Sequence, residues 1–161
     1  MKHTISVLVE NKFGVLSRVA GLFSGRGYNI ESLSVAPTMD TSMSVMTIVT
    51  HGDERVIEQV TKQLNKLIDV IKVMEMKEKD YIDREMMLVR VSAEREKRDE
   101  ILRIANVFKA RVVDVAAKSI TLEVTGTDDK IDAVLRILRP LGIRELVRSG
   151  KVAMLRAEPR A

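Results

Sequence analysis

Apolar and polar positions alternate from the start of the chain, with Ile5, Val7 and Val9 on one side and Thr4, Ser6 and Leu8 on the other. A period of two over residues 2–10 predicts a half-buried strand. The period then changes: Val15, Leu16, Val19, Ala20, Leu22 and Phe23 recur at helical spacing and stop in Ser24-Gly25-Arg26-Gly27, where glycine suits the left-handed conformation of a helix end. Residues 30–36 and 44–50 are rich in branched apolar residues and flank the turn chemistry of Pro37-Thr38-Met39-Asp40, which predicts a hairpin. Asp53 is placed to cap a helix carrying Val56, Ile57, Val60, Leu64 and Leu67, and residues 70–76 supply a further strand. The order is βαββαβ.

After Lys77-Glu78-Lys79-Asp80 the order repeats. Residues 86–91 read as a strand, Ile101, Ile104, Ala105 and Phe108 as a helix face, and 112–115 and 120–124 as two strands. Thr127 is placed to cap a helix through Ile131, Val134, Leu135 and Leu138, Pro140 prevents its continuation, and strands at 143–147 and 152–155 follow. The expectation is an α+β chain of two ferredoxin-like βαββαβ domains in tandem, residues 1–77 and 78–161, with a boundary near 78. Each would carry two helices on one face of an antiparallel sheet and leave the other face to be covered by self-association.

Composition narrows the function classes. The chain has no cysteine, which removes disulfides, thiolate nucleophiles and thiolate metal sites. Its 27 basic and 23 acidic residues leave a net charge of only +4. Up to Lys77 there are 9 basic and 8 acidic residues, and from Glu78 onward 18 and 15, so neither half holds a basic block suited to nucleic acid. No stretch approaches the length of a membrane span and no signal-type apolar block opens the chain, so the expected location is the cytoplasm.

The chemistry that stands out is the loop Asn11-Lys12-Phe13-Gly14-Val15-Leu16, between the first strand and the first helix. Glycine at 14 leaves room for a ligand to approach the backbone, and the first N–H groups of the helix, from Gly14 to Ser17, lack intrahelical acceptors. Such donors, at the positive end of the helix dipole, suit a carboxylate. An amino acid would bring that carboxylate, and Asn11, Asn29 and Ile30 could meet its ammonium and side chain. On chemistry alone the loop reads first as an ordinary strand-to-helix turn with Asn11 as its cap.

The run Gly14-Val15-Leu16-Ser17-Arg18-Val19, then Gly21-Leu22-Phe23-Ser24 and Arg26-Gly27-Tyr28-Asn29-Ile30-Glu31-Ser32-Leu33, resembles the small regulatory subunit of acetolactate synthase, also called acetohydroxyacid synthase. The likeness continues through Val35-Ala36-Pro37-Thr38, Met46-Thr47-Ile48-Val49 and Gly52-Asp53-Glu54, and more sparsely through Leu88-Val89-Arg90, Val113-Asp114-Val115, Thr125-Gly126-Thr127 and Arg148-Ser149-Gly150. It implies an N-terminal ACT domain that senses an amino acid, followed by the C-terminal domain typical of these subunits. It also implies a separate large catalytic subunit carrying thiamine diphosphate, magnesium and FAD, with no cofactor and no metal in this chain. The small subunit would activate that partner and confer feedback inhibition by valine, at the entry to branched-chain amino acid synthesis. Effector contacts carried over by position are Asn11, Gly14, Val15 and Leu16, with Asn29 and Ile30 supplied by the second subunit of a homodimer. Val45 stands where the family commonly has arginine, and Phe13 is an unusual bulky neighbour for Gly14. The other regulatory reading is a stand-alone amino-acid-binding ACT protein that controls a different enzyme.

Other classes find less support. His3 and His51 are expected at the surface, without a nearby acid. The acidic residues around Glu94–Glu100 and at Asp128-Asp129 fit helix starts. An RNA-binding sheet of this order needs stacking aromatics, but Phe13, Phe23, Tyr28, Tyr81 and Phe108 fall mostly outside the predicted strands. No nucleophile with its base, metal set or phosphate loop can be assembled, so no catalytic residue is assigned and neither nucleic acid nor membrane is expected as a partner.

Overall fold

The computed structural model describes residues 1–77 and 80–158. The boundary expected near residue 78 falls on positions outside the described residues. The chain divides into two compact units, Met1–Ile82 together with the segment from Lys151 onward, and Asp83–Gly150.

In the first unit β1 (Lys2–Glu10), α1 (Val15–Gly25), β2 (Ile30–Pro37), β3 (Met43–His51), α2 (Glu54–Asn65) and β4 (Val70–Met76) follow in the expected order. The sheet order is β2-β3-β1-β4, and all neighbours are antiparallel. Ile5, Val7 and Val9 meet Met46 and Ile48 across the strands and pack beneath Val15, Val19 and Phe23 of α1 and Ile57, Val60 and Leu64 of α2. The alternation in β1 thus selects the face that receives the helices. Asp53 caps α2, its carboxylate accepting from the Val56 N–H at 2.9 Å.

The opposite face of this sheet corrects an expectation. Thr4, Ser6, Thr47, Val49 and Met76 are buried within the single chain, and buried Lys151 places Nζ 3.5 Å from Thr4 Oγ1. Small hydroxyl side chains allow such close cover, so the centre of this face needs no second copy. His3 is a second correction. It is buried, with Nδ1 3.0 Å from Glu75 Oε1 and Nε2 3.1 Å from the Gly52 carbonyl. A carbonyl only accepts, which fixes the proton on Nε2. His51 is exposed as expected, but it also has an acidic neighbour, Glu31, at 3.2 Å.

The second unit is built on β5 (Tyr81–Ser92) from Asp83 onward, α3 (Arg95–Val107), β6 (Arg111–Val115), β7 (Ser119–Gly126), α4 (Asp128–Leu138) and β8 (Ile143–Leu155) as far as Gly150, in the sheet order β6-β7-β5-β8. Met87, Val89 and Val91 of β5 and Ile120, Leu122 and Val124 of β7 pack against Ile101, Ala105, Ile131, Val134 and Leu138 of the helices. β5 begins five residues before the predicted strand, and β8 runs unbroken through Gly150 at φ +81°. Thr127 precedes α4 and its carbonyl accepts from Ile131, but its hydroxyl makes no cap bond. Glu85, buried, accepts two hydrogen bonds from the Arg148 guanidinium, 2.6 and 2.9 Å long. This pairing raises the Arg148 pKa, chiefly through the hydrogen bond to Glu85.

Candidate functional site

The loop from Asn11 to Leu16 sits at the C-terminal end of β1. Gly14 occupies the N-cap position of α1 at φ +85°, a left-handed conformation that disfavours any residue with a β-carbon. Asn11 does not cap the helix. Its Nδ2 donates to the Thr41 carbonyl at 2.9 Å and its N–H donates to the Ser42 carbonyl at 2.8 Å, tying the loop to the β2–β3 hairpin.

The start of α1 is open as a donor site. The Arg18 N–H is the first to make the helical bond, to the Gly14 carbonyl at 3.0 Å, while the Val15 N–H makes only a long turn contact of 3.4 Å to Lys12. Among the described residues no backbone carbonyl receives the N–H of Leu16 or Ser17. The Val15 side chain belongs to the core, so only its backbone faces the loop, whereas Leu16 presents a partly exposed apolar side chain.

Two residues that the sequence did not single out complete the geometry. Arg18 folds back toward the helix start and clamps Asp69, with Nε 2.8 Å and Nη2 2.6 Å from Asp69 Oδ2. Its Nη1 lies over Gly14, where a β-carbon built on the glycine would sit 3.0 Å away. The Asp69 carbonyl accepts from the Glu10 N–H at 2.8 Å, so the α2–β4 loop is fastened to the same strand end. The helix amides give this corner a positive polarisation, while the Arg18 charge is balanced by Asp69.

Asn29 and Ile30 lie elsewhere in the unit. Ile30 opposes Thr50, which in turn opposes His3, and the Asn29 carbonyl accepts from Thr50 Oγ1 at 2.7 Å. They therefore stand at the opposite end of β1 from Asn11, about 25 Å away at roughly 3.3 Å per residue. The structure gathers Asn11, Gly14, Val15 and Leu16, and separates them from Asn29 and Ile30. Phe13 is fully exposed and points away from the core, and Val45 lies between Leu8 and Ala36 on the sheet face turned from the helices.

Comparison with known proteins decides the family. Residues 5–72 match the family described as AHAS small subunit-like ACT domain, and residues 84–157 match the small subunit of acetolactate synthase. A probable acetolactate synthase small subunit from Archaeoglobus fulgidus is 58% identical over 156 residues, covering 97% of this chain and 98% of that protein. The chain belongs to the acetolactate synthase small-subunit family. The acetolactate synthase small subunit of Mycolicibacterium smegmatis is 51% identical, covering 96% of this chain and 91% of its own length. The crystal structure of the acetolactate synthase small subunit from Thermotoga maritima superposes with a TM-score of 0.89 at 35% identity, covering 98% and 99% of the two chains. An acetolactate synthase small subunit is a regulatory chain with an ACT domain, and membership implies a catalytic subunit as partner. Among the described residues no helix is long and apolar enough to cross a membrane, and no group of three or more His, Cys, Asp or Glu could hold a metal.

Proposed function

We propose that this chain activates the catalytic subunit of acetolactate synthase and makes it responsive to valine, which binds at the interface of two ACT domains in a homodimer. The observation that carries the reading is the separation of the two half-sites. β2 is an open edge of the first sheet, with Asn29 and Ile30 at its beginning and the Gly14 loop beside its far end. A two-fold axis that runs two β2 edges antiparallel brings each Asn29 to the partner's Gly14 end, and so makes two equivalent sites.

In such a site the valine carboxylate takes the amides of Leu16 and Ser17 in the field of the helix start. The Asn29 side-chain carbonyl receives the ammonium, and Leu16 and Ile30 wall the isopropyl group. Valine then adds a bridge between subunits. A tenfold difference in valine affinity between two holoenzyme states requires about 1.4 kcal/mol, within reach of a few hydrogen bonds. The thiamine diphosphate, magnesium and FAD of the reaction belong to the catalytic partner in this reading, the pathway is branched-chain amino acid synthesis, and both chains work in the cytoplasm.

Calorimetric titration of the purified chain with valine, leucine and isoleucine tests the sensing claim. Saturable heat from valine at one site per chain is the expected result, and no heat from any of the three overturns it.

A further inference from the structure

Every residue of β6 is exposed, and among the described residues no other strand is exposed along its whole length. Three of its residues are valines, Val112 at 40%, Val113 at 51% and Val115 at 59%. β6 also ends the sheet order β6-β7-β5-β8, and among the described residues no strand pairs with its outer side. Edges of this kind are commonly guarded by lysine or proline, and β6 has neither; it carries one cation, Arg111, and one anion, Asp114.

A bulge at Val113 arranges those two charges. Arg111 opposes Glu123 and Asp114 opposes Thr121 on β7, so both lie on the sheet face turned from the helices, whereas Val112 opposes Leu122 of the core and lies on the helix face. In a regular strand, residues three apart fall on opposite faces. The extra residue of the bulge puts the two opposite charges on the same face. Among the described residues neither side chain forms a hydrogen bond or an ion pair, so Arg111 and Asp114 have no partner within the chain.

We propose that β6 pairs edge to edge with β6 of a second copy of this chain, antiparallel, about a two-fold axis between Val112 and Val113. That register sets Arg111 against the partner's Asp114 and, by symmetry, Asp114 against the partner's Arg111. Val112 meets the partner's Val113 and Ala110 meets the partner's Val115, so the exposed valines are covered in the same step. The charges select this arrangement over its neighbours. A parallel in-register pair would set Arg111 beside the partner's Arg111, and an antiparallel pair shifted by one residue would face each charge with an apolar side chain. The edge is therefore its own complement, and a closed two-fold pair leaves no strand edge there for further chains to join. β2 belongs to the other unit, so this contact is additional to the pairing proposed for valine and does not rest on it.

The chain has no cysteine, so Val113→Cys in the full chain supplies a unique reporter beside the proposed axis. A short bismaleimide is expected to join two such chains. Arg111→Asp or Asp114→Arg, added to that variant, sets like charges against each other at both ends of the contact, and each should slow joining about tenfold. Mixing the two reversed chains should restore joining, now between unlike chains, because one carries only acids at the two positions and the other only bases. Restoration also excludes misfolding as the cause of the loss. No joining of the Val113→Cys chain, joining unaffected by the reversals, or a mixture that joins no better than its components overturns the proposal. Protection of Val113→Cys by the catalytic subunit, with no joined chains, assigns the edge to that partner and overturns it too. A failed valine titration leaves each of these outcomes as it stands.

Discussion

The Arg18 guanidinium lies over the α-carbon of Gly14, so close that a β-carbon at position 14 would stand 3.0 Å from Nη1. Glycine is favoured by its φ of +85°, and a β-carbon there would also push the flexible Arg18 guanidinium aside by a few tenths of an ångström. Gly14→Ala is expected to cost about 1–2 kcal/mol of stability through left-handed strain, measured by urea denaturation. Gly14→Asp goes further, because the new carboxylate draws Arg18 from Asp69 and occupies the corner meant for the effector's own. Feedback should vanish while assembly persists. A reconstituted Gly14→Asp holoenzyme that keeps its valine sensitivity would contradict the assignment.

The phenylalanines of α1 and of the loop before it make opposite predictions. Phe23 is fully buried among Val15, Val19 and the β1 core face, so Phe23→Ala should destabilise the first unit by about 3–5 kcal/mol. Phe13→Ala should change stability by less than about 0.5 kcal/mol, because no packing is lost. Paired denaturation curves check both, and a large loss at Phe13 would disprove its exposure.

Glu85→Ala strands the Arg148 guanidinium. The pair has two short hydrogen bonds and a buried carboxylate, yet the Arg148 side chain is 37% exposed and water can replace part of what it loses. An expected cost of about 1–2 kcal/mol reflects that screening. Thermal unfolding of Glu85→Ala and Glu85→Gln should show the larger fall for alanine.

Asp40 titrates below the ordinary aspartate value of 3.8, first because the Ser42 hydroxyl donates to its carboxylate and second because the Ser42 N–H does. A folded-state value below the unfolded one stabilises the hairpin turn above the unfolded value, and that stabilisation fades as pH falls through the folded value. Ser42→Ala should move the Asp40 carboxyl resonance toward the ordinary range in an NMR pH titration. An unmoved resonance would show that the hydroxyl is not the cause.

The elements of both units were legible in the chain because strand and helix periods differ and each face is committed to one side. Reading failed where the pattern ran out. Residues 148–149 of β8 and Asp83-Arg84 of β5 are polar or charged, so no alternation marks them as strand. Partners remote in sequence were equally hidden. His3 meets Glu75 across 72 residues, Arg18 meets Asp69 across 51, and Asn11 meets Thr41 across 30. Local sequence therefore made Asn11 look like a cap and His3 like a surface residue. The Gly14 loop was visible as a donor site from its glycine and helix start, whereas its guanidinium cover and its fastening to two other loops exist only in three dimensions.

The distance between Gly14 and Asn29 along β1 has a genetic meaning. On the shared-site reading, a subunit damaged at Gly14 still lends a sound Asn29 to its neighbour, and one damaged at Asn29 still lends a sound Gly14. Two alleles that are each insensitive to valine as pure proteins would, when co-expressed, rebuild one working site in every mixed dimer. A cell carrying both would regain part of the response that each had lost.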